Sequence, residues 1–241
     1  MELDKKAGLN PLLAVQSLLA GAKLVGHKEL RKFVLIPVFI NLILFSTLLY
    51  LVYTYVEGLI GQFIPDWLLW LSWLIYPLTF ISFCLAGFFT FTLIANLIAA
   101  PFYGNLSAKT QKIIAHETGD IVEQKMLAVI GSELKRVVYL VSRAIPVLII
   151  SFIPGLNIIA PILWLLFGAW ALSLEYFAYP LENEWALFKE QRDILSTVRI
   201  GALSFGGLVL VGLTLPIINI LVPPIAVISA TIYRQKLANN S

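Results

Sequence analysis

Four apolar runs without a charged residue constrain this chain more than any other feature. They lie between Lys32 and Glu57, Asp66 and Lys109, Arg143 and Glu175, and Arg199 and Arg234. A transmembrane helix needs roughly 20 apolar residues to cross about 30 Å of hydrocarbon, and each run is longer than that. Only 13% of all residues are charged, against about 25% in soluble domains. The sequence therefore predicts an all-α integral membrane protein.

Several other classes are disfavoured by the same sequence. Charged side chains at positions 2, 4, 5 and 6, followed by a first long apolar run that starts only near Phe33, do not form a cleavable signal peptide. The single cysteine, Cys84, excludes a disulfide within one chain. A net charge of +3 without a basic stripe gives no indication of nucleic-acid binding.

Catalytic and cofactor motifs are not visible either. The two histidines, His27 and His116, lack metal-ligand spacing, and no phosphate-binding loop is present. We therefore expect no metal, no cofactor, no bound nucleotide and no enzymatic activity. Membrane enzymes that use scattered carboxylates are the alternative to this last expectation.

We interpret residues 1–241 as a single membrane domain. Asn10 and Pro11 form a helix cap and a first-turn proline, and the following helix is expected to lie in the membrane interface, with a soluble lead-in helix as the alternative. The predicted segments are an amphipathic helix with a basic linker at 1–32, transmembrane helices at 33–56 and 67–100, cytoplasmic helices at 103–143, a hairpin at 144–174, a cytoplasmic segment at 175–199, a hairpin at 200–233 and a tail at 234–241.

The last two apolar runs are interrupted by the same pattern, P-x-x-N-x-x-x-P. It comprises Pro154, Asn157 and Pro161 in one run, and Pro216, Asn219 and Pro223 in the other. A proline inside a helix costs about 3 kcal/mol and removes a hydrogen-bond donor, so both runs should bend there. Arms of roughly 10 to 16 residues reach about halfway through a bilayer. The pattern predicts two re-entrant helical hairpins, and one kinked spanning helix in each run is the alternative.

Basic residues predict the orientation of these segments. Six Lys or Arg residues precede residue 33, six lie between 103 and 143, three between 175 and 199, and two in the tail. Two spans and two re-entrant hairpins place all of these segments on one side, as the positive-inside rule requires. The sequence therefore predicts a multi-pass membrane protein with its basic segments in the cytoplasm.

Anion binding is the chemistry that the charged residues support best. Arg31 and Lys32 lie where the first membrane helix begins, and a helix N-terminus attracts anions through its free N–H groups and its dipole. An arginine also binds a tetrahedral oxyanion through two parallel hydrogen bonds. Alternatively, both cations anchor the helix to lipid headgroups, which is a common role at this position.

A second group of charges lies near the predicted mouths of the hairpins. Ionisable groups at membrane depth usually face a cavity and pair with each other, so we interpret this group as a charge network along an ion pathway. Ordinary interfacial charge is the alternative. The group contains Arg136, Arg143, Glu175, Glu182, Glu184 and Arg199.

Six stretches carry a family resemblance over almost the whole chain. They are LRKFVLIPVFINLILF at 30–45, ANLIAAPFYGNL at 95–106, SRAIP at 142–146, FIPGLNIIAP at 152–161, EYFAYPLENE at 175–184 and FGGLVLVGLTLPIINILVPPIAVISAT at 205–231. Together they resemble the CysZ sulfate permeases, a bacterial family within a wider group that includes etoposide-induced membrane proteins. The resemblance implies sulfate uptake across the bacterial inner membrane for cysteine biosynthesis, by a homo-oligomer embedded in lipid. A non-transporting membrane scaffold of the same superfamily is the alternative.

The resemblance also implies a binding site. In the family, a G-L-R motif before the first long helix binds sulfate, and its matches here are Leu30 and Arg31, with Lys32 at a second basic position. Glu29 occupies the position of the glycine, where a carboxylate is expected to repel an anion. A second departure replaces an acidic residue of the family by Ala178 and introduces Glu175, which implies a rearranged charge network.

Overall fold

Every regular element in the part of the chain that the structure describes is helical. The computed structural model describes residues 8–63, 70–71, 73–74, 77–78, 81–82, 85, 102–115, 126–215 and 218–239. The helices are α1 (Pro11–Leu24), α2 (Arg31–Phe63), α3 (102–115), α4 (Met126–Phe152), α5 (Ala160–Asn183), α6 (Phe188–Thr197), α7 (Arg199–Thr214) and α8 (Val222–Asn239). The all-α fold predicted from the charge-free runs is confirmed.

Two segments among the described residues are long and apolar enough to cross a membrane, Arg31–Leu51 and Leu156–Asn183. The first overlaps the transmembrane helix predicted at 33–56. The second begins at the predicted turn of the first hairpin and continues past residue 174, since a charged residue at the edge of an apolar run does not interrupt backbone hydrogen bonding. The transmembrane helix predicted at 67–100 lies largely outside the described residues.

The chain divides into two compact units, one formed by 1–34 with 103–241 and the other by 35–102. The second unit contains most of α2, whose threonine hydroxyls are satisfied within the helix. Thr47 donates to the carbonyl of Ile43 at 2.8 Å. Because hydrocarbon offers no water to a hydroxyl, this internal bond is what a membrane helix requires.

In the first unit, α4 and α5 form an antiparallel hairpin. Close to the turn, Nε1 of Trp164 donates to Oγ of Ser151 at 3.0 Å. Farther from it, Nε1 of Trp170 donates to the hydroxyl of Tyr139 at 3.2 Å. Gly155 makes the turn with a φ of 87°, which a residue without a Cβ adopts readily.

A second antiparallel hairpin, formed by α7 and α8, repeats the turn of the first. The amide of Asn157 donates to the carbonyl of Ile153, and the amide of Asn219 donates to that of Leu215, both at 3.0 Å. Pro161 lies in the first turn of α5, and Pro223 and Pro154 also fall at the ends of helices. Pro216 lies outside the described residues. The repeated sequence pattern is therefore accompanied by the same backbone hydrogen bond at the two asparagines.

Small residues bring the two hairpins together along α5 and α7. Gly206 lies against the carbonyl of Ala169, where a Cβ would collide, and Oγ of Ser173 donates to the carbonyl of Ala202. Such close approach is how helices pack where no water drives association. These contacts make α5 and α7 antiparallel, so both turns lie at the same end of the bundle and the charged ends lie together at the other.

Two further contacts shape the charged end. The chain leaves α5 through Trp185, which has a φ of 67°, and the amide of Ala186 then donates to the carbonyl of Leu181 at 2.9 Å. This bond is typical of a Schellman motif, although glycine is the usual residue at the position of Trp185. Beyond it, α6 and α7 meet at 105°. The sharp exit keeps α6 beside the charged ends of α4 and α5.

The N-terminal helix packs against α8 with one face. The predicted cap is confirmed, since the Asn10 side chain accepts from the amide of Leu12 at 2.9 Å. Ser17 and Gly21 are buried, and a Cβ on Gly21 would collide with Ser229 of α8. The opposite face exposes Leu12 and other large apolar side chains. Helix α1 is thus fixed to the bundle directly before the basic segment that opens α2.

Candidate functional site

The basic motif at the start of α2 combines one buried residue with two exposed cations. Leu30 is fully buried in the core, whereas Arg31 and Lys32 are exposed. Nε of Arg31 donates to the carbonyl of Gly26 at 2.9 Å, and the backbone amide of Arg31 donates to the carbonyl of His27 at 3.1 Å. These two hydrogen bonds fix the backbone and Nε of Arg31, while the residue as a whole stays exposed to solvent.

Glu29, at the position where the resemblance implies glycine, forms an ion pair with Lys109 of α3. Nζ of Lys109 lies 2.8 Å from Oε2 of Glu29, and the two side chains are 40% and 52% exposed. The hydrogen bond from Lys109, and then its charge, lower the pKa of the Glu29 carboxyl. The negative charge of the carboxylate is therefore offset by a cation from another helix.

A buried arginine connects three helices at the charged end of the first hairpin. The Arg136 side chain is only 8% exposed, and its Nη1 lies 2.8 Å from Oε1 of Glu133. Nη2 donates to Oε1 of Gln191 on α6 at 2.9 Å and lies 3.5 Å from Oε1 of Glu182 on α5. Each neighbour accepts a hydrogen bond from the guanidinium or faces its charge, as a buried cation requires.

Helix α6 is positioned for this cluster by its own N-terminus. The amide of Phe188 donates to Oγ of Ser132 on α4 at 2.7 Å, and the amide of Leu187 donates to Glu190 at 3.0 Å. Gln191 is fully buried, and its Nε2 donates to the carbonyl of Ala186 at 2.9 Å. Because Nε2 of Gln191 is bonded to this carbonyl, its Oε1 is oriented toward Arg136.

The remaining members of the predicted charge network do not form one connected group. Glu184 pairs with Arg234 of α8, with 2.8 Å between Nη2 and Oε2, rather than with Arg136 or Arg143. Glu175 projects to the surface and forms no ion pair with any residue that the structure describes.

Arg143 and Arg199 lie against aromatic rings instead of carboxylates. The guanidinium carbon of Arg143 is 4.7 Å from the ring centroid of Tyr139, and that of Arg199 is 5.5 Å from the ring of Trp170. Both arginines are exposed. Their N–H donors remain available because the negative face of a ring attracts the cation as a whole rather than accepting individual hydrogen bonds.

Four residues of these sites were missed by sequence analysis: Lys109, Glu133, Gln191 and Arg234. Glu133 lies three residues before Arg136 on the same helix, whereas the other three meet their partners across helices that are distant in the sequence, so no local spacing marks those pairs. Arg234 carries one usable signal, since it is the first charge after a long apolar run and is only 1% exposed. A cation at such a boundary needs a buried carboxylate partner when it faces the bundle.

Comparison with known proteins identifies the family. Residues 17–224 match the family described as sulfate transporter CysZ/etoposide-induced protein 2.4. The chain is 39% identical to the sulfate transporter CysZ of Pseudomonas syringae, covering 92% of this chain and 91% of that protein. The sulfate transporters CysZ of Pseudomonas fluorescens and Pseudomonas paraeruginosa are 39% and 35% identical, covering 93% and 88% of this chain and 94% and 90% of the relatives. This chain therefore belongs to the sulfate transporter CysZ/etoposide-induced protein 2.4 family.

Proposed function

We propose that this chain transports sulfate across a bacterial inner membrane, supplying it for cysteine biosynthesis, and that Arg31 and Lys32 form the site where sulfate first binds. One observation carries the assignment of the site: two exposed cations lie at the start of a membrane helix whose base is fixed by Leu30 and by the Gly26 carbonyl. The relatives named as sulfate transporters support the choice of ion. Their names as transporters also favour a role that is not enzymatic.

Lys109 explains how the site accommodates Glu29. An isolated carboxylate beside Arg31 would repel a dianion, but the Lys109 ammonium at 2.8 Å cancels its charge. Arg31 and Lys32 therefore retain most of their attraction for sulfate. On this proposal the departure from glycine changes the affinity modestly and leaves the binding function intact.

The pathway beyond this site is proposed to follow the charged ends of the hairpins. Sulfate carries two charges, and hydrocarbon admits them only where cations and dipoles replace water. Arg143 and Arg199 are the exposed cations at the edge of the apolar arms, and Arg136 and Glu184, each in a separate ion pair, stabilise the frame around them. Glu175, an exposed carboxylate on α5, is the remaining proposed member of this pathway.

Uptake of radiolabelled sulfate into liposomes that contain only this protein tests the function. We expect uptake above that of protein-free liposomes, and a strong reduction in the Arg31→Ala/Lys32→Ala variant at equal protein density. Lys28→Ala, which removes an exposed cation just before the motif, is the matched control and should transport normally. Uptake equal to that of protein-free liposomes would favour a membrane scaffold.

We further propose that both hairpins are re-entrant and that the protein assembles as a homo-oligomer in lipid. Helix α5 and its turn are long enough to cross a membrane, so the depth of the first hairpin needs a direct test. After Cys84 is replaced, single cysteines at positions 120 and 185 should react with a membrane-impermeant reagent from the same side. Labelling from opposite sides would mean that the chain crosses the membrane an odd number of times between positions 120 and 185.

A further inference from the structure

Three arginines from three helices meet at one pair of aromatic rings. The pair consists of Tyr139 on α4 and Trp170 on α5, joined by the 3.2 Å hydrogen bond from the indole to the hydroxyl. Arg143 on α4 lies 4.7 Å from the Tyr139 centroid, and Arg192 on α6 lies 5.9 Å from it. Arg199, the first residue of α7, lies 5.5 Å from the Trp170 centroid. We call this group the arginine cluster.

Carboxylates neutralise little of the charge of the arginine cluster. Arg192 pairs with Asp193 at 2.8 Å, whereas Arg143 and Arg199 form no ion pair with the residues that the structure describes. Arg136, only two turns before Arg143 on α4, contrasts with them because two carboxylates face it. Aromatic faces hold a guanidinium without consuming its N–H donors. The cluster therefore keeps both positive charge and planar donor groups.

The position of the cluster suggests what it binds. Arg143 is the last charged residue before the apolar arms of the first hairpin, and Arg199 is the last before those of the second. The cluster thus lies at the boundary between apolar arms and the charged end of the bundle. Lipid phosphates lie where hydrocarbon meets water, and a dianion that enters the bundle from its charged end would meet the same boundary.

We infer that Arg143, Arg192 and Arg199 form a second binding site, separate from Arg31 and Lys32, for a tetrahedral oxyanion. Free sulfate and the phosphate of a lipid headgroup share the relevant chemistry, namely negatively charged oxygens at a spacing that matches the guanidinium fork. Tyr139 and Trp170 are positioning residues that orient the arginines and do not themselves need to touch the anion.

The Arg143→Gln/Arg199→Gln variant of the full chain, in detergent, tests this inference in two arms. The first arm measures sulfate binding by calorimetry in the Arg31→Ala/Lys32→Ala background, so that only the arginine cluster contributes. The second arm measures retention of added phosphatidylglycerol by native mass spectrometry. We expect the variant to lower affinity roughly ten-fold to a hundred-fold in one arm. A loss in the first arm assigns the site to sulfate, and a loss in the second assigns it to lipid.

Controls separate this result from misfolding and from the proposed function. Lys135→Gln removes an exposed charge from α4 without touching the aromatic pair, and it should leave both arms unchanged. Arg143→Lys/Arg199→Lys keeps the charge and the fold but loses the planar fork, so we expect weakened binding. Unchanged binding in both arms, or full binding by the lysine variant, would overturn the inference. If Arg31→Ala/Lys32→Ala alone leaves sulfate binding unchanged, the first site is refuted while this test of the second still stands.

Discussion

Arg31 and Arg136 are the same type of residue in opposite surroundings. Arg31 is exposed and uses one donor on the carbonyl of Gly26. Arg136 is 8% exposed and is bound by Glu133, Gln191 and, at longer distance, Glu182. Because a buried charge loses its hydration, its partners must replace water. An arginine available to a ligand is therefore one that the fold has left incompletely paired.

This comparison separates two consequences of removing an arginine. At Arg136 the loss leaves the buried side of Glu182 without its cation, so the effect should appear in stability. At Arg31 the loss exposes no buried charge, so the effect should appear in binding. The following predictions test whether the two regions differ in this way.

The largest expected effect is that of Arg136→Ala on stability. Removing one partner of a buried ion pair costs up to about 3–5 kcal/mol, because the other partner, here Glu182, keeps its hydrogen bond from Gln191 but loses the facing cation. Chemical unfolding in detergent should therefore show a lower free energy of unfolding. A double variant, Arg136→Met with Glu182→Gln, removes both charges and should recover much of the loss. Wild-type stability in Arg136→Ala would show that the buried cluster is not stabilising.

A smaller effect, confined to binding, is expected from Arg31→Ala with Lys32→Ala. A charge-assisted hydrogen bond to sulfate contributes about 1.5–3 kcal/mol, so affinity should fall by at least roughly ten-fold to a hundred-fold. The free energy of unfolding should stay close to that of the wild type, since both side chains are exposed. Calorimetry and unfolding on the same preparation decide the matter, and a loss of stability in place of affinity would reverse the assignment.

A change in the opposite direction is expected from Glu29→Gly. The substitution removes a carboxylate beside the anion site and frees Lys109. Because the pair is exposed and screened by solvent, sulfate affinity should rise by no more than about five-fold. Lys109→Met should lower it, since Glu29 then loses its neutralising cation. Lys112→Met on the same helix is the control, and equal behaviour of the two lysine variants would exclude a special role for Lys109.

The smallest expected effect is that of pH on Glu29. Lys109 lowers the pKa of this carboxyl, so the ion pair stabilises the fold above the pKa of the unfolded chain and is lost as pH falls through the lowered pKa. Glu29 therefore stays ionised at neutral pH. The difference in sulfate affinity between wild type and Glu29→Gln should be constant between roughly pH 6 and 8, and it should vanish only in acid. A change within the neutral range would mean that another group titrates.

The hairpins were predictable because their determinants are local. Pro154 and Gly155 end α4, and Asn157 begins the next turn, all within a few positions. The second turn repeats the pattern and its hydrogen bonds. The C-terminal end of α5 was not predictable in the same way. The first charged residue after an apolar run indicates where the surroundings become polar, not where the helix ends.

The candidate site was predictable only in part. Arg31 and Lys32 can be recognised from the sequence because they lie at the start of a long apolar helix. Lys109 cannot be recognised in this way, because only the packing of α3 brings it to Glu29. The same limit applies to Glu184, whose actual partner, Arg234, follows a different apolar run. Charges can be found in a sequence, but their pairing depends on helix contacts that no local pattern encodes.

The shared direction of the two hairpins has a consequence for biosynthesis. Each hairpin returns the chain to the end at which it began, as the pairing of Glu184 with Arg234 reflects. The segments between Arg143 and Glu175 and between Arg199 and Arg234 carry no charge. Moving an Arg, Lys or Asp to the centre of a bilayer costs about 2.5–3.5 kcal/mol on insertion scales. The insertion machinery avoids this cost for both hairpins, and each can enter the bilayer as a closed unit once its second arm has left the ribosome.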